Sequence, residues 1–135
     1  MEDLMRTILL LFLTLAALGC GYSRPNQMTQ PGIVPVVAAL MPASQLHGGS
    51  DFTLTVTGSS FNGNAVVNWN AAPQANTMHP MANTLSVVIP AADIATTGTA
   101  QVSVTNPGSS TPGGPYGGGS STPSETSNNM TFTIN

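Results

Sequence analysis

Few side chains in this sequence can do chemistry, and their spacing limits what that chemistry could be. Cys20 is the single cysteine among 135 residues. A lone thiol cannot close an intrachain disulfide, and it falls well short of the three or four nitrogen and sulfur ligands that a zinc ion needs. His47 and His79 are the two histidines, and the few carboxylates are scattered, so no metal site is expected. Asp51 and Asp93 stand in turn segments, where a carboxylate oxygen caps backbone N–H groups. Asp93 belongs to Pro90-Ala91-Ala92-Asp93-Ile94, which reads as one helical turn. Serines are plentiful, but none lies in a Gly-x-Ser-x-Gly turn between a strand and a helix. The glycines of 113–119 lack the lysine and the helix of a phosphate loop. Asn129-Met130-Thr131 fits a glycosylation sequon, read as a chance match. The expectation is a chain with no catalytic residue, no metal and no cofactor, and therefore not an enzyme.

Composition narrows the class of partner. Lys and Arg together number 2 and Asp and Glu 5, giving a net charge of −3. Nucleic-acid affinity comes mostly from basic side chains that neutralise phosphates. Arg24 is the one basic residue beyond Arg6, so nucleic acid is excluded as a partner. Polarity comes instead from Ser, Thr, Asn and Gln, with 14 Gly and 11 Pro as punctuation. That mixture suits short strands and many turns, not long helices. The length fits one ordinary domain.

The elements that must position these residues begin with an anchor. Residues 8–18, Ile-Leu-Leu-Leu-Phe-Leu-Thr-Leu-Ala-Ala-Leu, follow Arg6 as an unbroken apolar run. The run matches the core of a signal peptide, about 7–15 residues, and is short of the roughly 20 apolar residues that span a bilayer. Glu2 and Asp3 do not suit the positive leading region of such a peptide, whereas a start at Met5 does. Ala17-Leu18-Gly19-Cys20 resembles the lipobox of bacterial lipoproteins, although the Leu and the small residue usual before the cysteine are exchanged for Ala17 and Leu18. The resemblance implies a signal peptide at 1–19, cleavage before Cys20, and lipidation of the Cys20 thiol and amine. Ala17-x-Gly19 also satisfies an ordinary small-x-small cleavage site. Gly21 after the cysteine is no inner-membrane retention signal, so the outer membrane is expected where the cell has one. Residues 20–34, polar and with two prolines, read as a flexible tether.

From Pro35 the pattern has period two. Val36–Leu40, Phe52–Thr57, Ala65–Asn70, Leu85–Ile89, Ala100–Thr105 and Met130–Ile134 read as strands, with turns at 47–50, 61–64, 98–99 and 106–108. Phe52, Leu54, Val56, Val67, Trp69, Leu85, Val87, Ile89, Val102 and Val104 fall on the inward phase. Such alternation predicts an all-β sandwich with one polar face per strand. The ordered set Leu40-Met41-Pro42, Gly48-Gly49, Phe52 to Gly58 with Phe61, Val67-x-Trp69-Asn70, Leu85-x-Val87-x-Ile89-Pro90, Gly98-Thr99-Ala100-x-Val102-x-Val104-x-Asn106-Pro107 and Thr131 to Ile134 resembles the IPT/TIG domain. A glycine usual after the Trp-Asn pair is Ala71 in this chain. The resemblance covers residues 35–135 and implies an immunoglobulin-like β-sandwich of about seven short strands with no disulfide. It implies no catalytic residues, and roles as spacer, interaction surface or part of a carbohydrate-handling protein.

Residues 107–128 are rich in Gly, Ser and Pro and offer almost no apolar side chain. They read as a disordered loop. Trp69 is expected as a core anchor, in phase with Val67, and Tyr116 in the loop is the one exposed aromatic read as a ligand contact. The functional expectation is a membrane-anchored cell-envelope module that is structural or contacts an envelope protein. The alternative is a glycan-binding module on the cell surface, disfavoured because aromatics are 5% and most fall at core phases.

Overall fold

A computed structural model of the chain describes residues 28–115 and 117–135. The run 8–18 read as a signal peptide, Cys20, the first part of the segment read as a tether and Tyr116 lie outside the described residues. The protein is all-β, with strands β1 (Met28–Thr29), β2 (Val36–Met41), β3 (Ser44–Gln45), β4 (Phe52–Ser59), β5 (Val66–Trp69), β6 (Ala72–Pro73), β7 (Met78–Met81) and β8 (Thr84–Ile89). There follow β9 (Gly98–Asn106), β10 (Ser109–Thr111), β11 (Ser120–Thr122), β12 (Glu125–Thr126) and β13 (Met130–Ile134). The helical content among the described residues is one 3-10 turn at Ala91–Ile94, as the Pro90–Ile94 pattern predicts.

Two sheets face each other. One has the order β2-β4-β8-β7, and the other β3-β13-β9-β5-β6 with β12 also paired to β9. This is the order of an immunoglobulin-like sandwich. The stretch from β2 to β3 is shared between the sheets: Val36–Met41 pairs with β4, and after Pro42 the chain crosses so that Ser44–Gln45 pairs in parallel with β13. Alternation decides which side chains enter. Leu54 and Val56 of β4 and Leu85, Val87 and Ile89 of β8 meet Val67, Val102, Val104 and Phe132 from the opposite sheet in one core. Phe52 stacks on Phe132 with centroids 5.4 Å apart. Ile94 of the 3-10 turn closes the core at one end.

The described residues form thirteen strands, not seven. Seven strands have four residues or more, and the other six are pairings of two or three residues. Those short strands are held by backbone hydrogen bonds, and at two or three residues, mostly Ser and Thr, they leave no apolar period in the sequence.

The reading of residues 107–128 as a disordered loop is corrected by the same fact. β10 and β11 form an antiparallel hairpin, with Ser109 opposite Thr122 and Thr111 opposite Ser120. β12 pairs with β9, and Ser127 Oγ accepts from the Val104 N–H at 2.9 Å. The tether reading changes too for its described part. β1 adds in parallel to β11, and the Met28 and Gln30 N–H groups donate to Gly119 O and Ser121 O. Apolar side chains are not required, because Ser, Thr, Asn and the backbone satisfy one another.

The strand directions define two poles. β4 and β9 end, and β5 begins, at the pole that carries the hairpin. The far pole holds the 46–51 turn, the Asn70-Ala71 turn and the Ala91–Ile94 segment.

Candidate interaction surface

The chemistry-bearing residues serve the fold. Trp69 is 3% exposed, with its ring 5.1 Å from that of Phe132 at 58°. The four aromatics among the described residues are Phe52, Phe61, Trp69 and Phe132, and all lie in or against the core. Trp69 and Phe132 are buried, and Phe52 and Phe61 are half-buried against the core. His47 Nδ1 lies 2.8 Å from Asn135 O at the far pole, and His79 sits on exposed β7. Asp51 Oδ1 accepts from the Ala91 N–H at 2.9 Å, capping the 3-10 turn. Among the described residues no group of three or more His, Cys, Asp or Glu could hold a metal.

Buried polar side chains are also consumed internally. Asn68 Nδ2 donates to Ser103 Oγ at 3.2 Å and Thr105 Oγ1 at 2.8 Å across the outer face of β5 and β9. Asn106, 3% exposed, accepts from the Asn62 N–H at 3.0 Å and donates to Ile33 O and Ser60 O, both at 2.8 Å. It ties the 60–62 turn and the N-terminal segment to the end of β9. The sequence marked Asn106 as part of a pattern, but its role depends on three partners that only the fold assembles.

One surface is not consumed. In the β2-β4-β8-β7 sheet, Met41 is opposite Thr55, Thr55 opposite Ser86, and Ser86 opposite Met78. The next row is Ala39, Thr57, Thr84 and Met81. Directly paired residues point to one side of a sheet, and these alternate with the buried set, so both rows face outward. Met41, Met78 and Met81 are 73%, 57% and 72% exposed. Thr55, Ser86 and Thr84 line an open depression with Met78, His79 and Pro80. The two rows contain no charged residue. Pro80 lies on the edge strand β7, where a missing N–H breaks no ladder bond.

The alternation of Thr53, Thr55 and Thr57 marks half of this face in the sequence. The methionines gave no signal, because Met78-His79-Pro80-Met81 has neither strand periodicity nor a proline-free run. Comparison with protein-family models, curated proteins and solved structures finds no match to this chain.

Proposed function

We propose that this chain is a non-catalytic cell-envelope module, held to a membrane by a lipid on Cys20, that contacts another envelope protein. The anchoring part rests on the apolar run 8–18 and on the position of Cys20 directly after it. The IPT/TIG resemblance fits the same reading, since such domains act as spacers and contact surfaces. The contacting part rests on one observation: the uncharged outer rows Met41-Thr55-Ser86-Met78 and Ala39-Thr57-Thr84-Met81. Exposed thioethers adapt to irregular partner surfaces, and small hydroxyls cost little to desolvate when they find partners. The absence of charge on both rows selects a partner face that is equally uncharged. Membrane location is the outer membrane where the cell has one.

The test places a photoreactive residue at Thr55 or at Thr131, on the outer faces of the two sheets, in cells that express the full chain. Crosslinks to one defined envelope protein should form from Thr55 and not from Thr131. Ser86→Lys should abolish them while leaving the melting temperature unchanged, since it buries an unpaired charge only in the complex. Equal crosslinking from both faces, or crosslinks that survive Ser86→Lys, would contradict the reading.

A further inference from the structure

The two poles of the sandwich differ in a way that bears on the membrane. β1 runs parallel to β11, with Met28 opposite Ser120 and Thr29 opposite Ser121. β11 runs from the hairpin tip towards the body, so Met28 lies at the tip side and the preceding chain leaves there. From Cys20 to Gln27 the sequence supplies eight residues. Their reach is at most about 26–29 Å at full extension. β9, which runs from pole to pole, has nine residues and spans about 30 Å. A tether that leaves at the hairpin pole would use its whole reach to bring the far pole to the same lipid surface.

The two poles also differ in the balance of apolar and acidic side chains. Met28, Ile33 and Val34 are exposed apolar residues at the hairpin pole, against Leu46 at the far pole. Three charged residues are described: Asp51 and Asp93 at the far pole, and Glu125 on β12 at the hairpin pole. Apolar side chains partition into the boundary between headgroups and acyl chains, and acidic groups are repelled by anionic lipids.

We propose that the hairpin pole is a lipid-contacting surface, with Met28, Ile33 and Val34 against the bilayer, and that the far pole is directed away from it. The proposal rests on the reading of Cys20 as the anchor. It leaves the outer face of the β2-β4-β8-β7 sheet standing across the membrane plane, open to a neighbour in the same membrane.

The experiment uses the full chain purified from native membranes, its lipid confirmed by intact mass, and reconstituted in phosphatidylcholine–phosphatidylglycerol vesicles. An environment-sensitive fluorophore is attached to Gly114→Cys or to Ser50→Cys, while the acylated Cys20 stays unreactive. A Cβ at Gly114 meets nothing within 4 Å, and Ser50 is exposed. Nitroxide-headgroup lipids should quench the label at 114 severalfold more than the label at 50. Adding Met28→Glu and Ile33→Glu should reduce the quenching at 114 while the protein remains on the vesicles. Equal or stronger quenching at 50, or no effect of the two glutamates, would overturn the proposed contact on a chain that is still anchored. A mass without lipid on Cys20 would overturn the anchoring reading itself, and the proposal with it.

Discussion

Asn128 and Val37 are joined by two hydrogen bonds: the Val37 N–H donates to Asn128 Oδ1 at 3.0 Å, and Asn128 Nδ2 donates to Val37 O at 3.1 Å. The side-chain amide thus replaces a strand partner at the point where the β2–β4 register shifts, between Val37 and Ala39. It ties an edge strand to a segment 91 residues away.

Asn128→Ala should therefore cost about 1–3 kcal/mol, because it leaves both backbone groups of a core residue without partners. Asn128→Asp should not restore the loss, since its second oxygen would face Val37 O with no proton to donate. Thermal melts of the two variants check this, and an unchanged melt for either would contradict it.

Asn106 should be less tolerant still. Asn106→Asp keeps the acceptor for the Asn62 N–H but turns an oxygen towards the Ile33 and Ser60 carbonyls. The expected loss is about 2–4 kcal/mol, more than one hydrogen bond, because a buried charge is left facing two acceptors. Chemical denaturation should show the aspartate variant no more stable than Asn106→Ala.

The strands that build the core were legible because burial imposes a period of two. Phe52–Thr57, Leu85–Ile89 and Met130–Ile134 announce their inner faces by alternation, and each lies within an observed strand. The sheet edges were not legible. β6 and β7 contain proline, and β10 to β12 are runs of Ser and Thr with Glu125, so nothing in their apolar pattern separates a paired strand from a loop. Ile94 was also missed as a core residue, because a single 3-10 turn is too short to show a helical period. The uncharged outer face was half legible: threonines in strand phase are visible, but their alignment with methionines three strands apart is a property of register.

Replacing residues 109–122 with a short Gly-Ser link should shift the melting temperature little, because no residue of the hydrophobic core lies in that segment. The same change should remove the hydrogen-exchange protection of the Met28 and Gln30 amides, whose acceptors are Gly119 O and Ser121 O. A large loss of stability would show that the hairpin supports the sandwich directly.

Trp69→Ala should be the most damaging core substitution. The ring packs on Phe132, and truncating a buried Trp typically costs about 3–5 kcal/mol of a total near 5–15 kcal/mol. Native fluorescence should be blue-shifted and poorly quenched by acrylamide, and the alanine variant should be largely unfolded. A quenchable indole with a normal melt would favour the glycan-platform alternative instead.

The anchored state is tested most directly by the intact mass of the chain extracted from native membranes, measured beside Cys20→Ser in the same fractionation. The account predicts a chain beginning at Cys20 that carries a diacylglycerol on the thiol and an acyl group on the amine, with the serine variant uncleaved or released from the membrane. A chain with a free thiol and free amine at Cys20, or a serine variant processed and retained like the wild type, would contradict it.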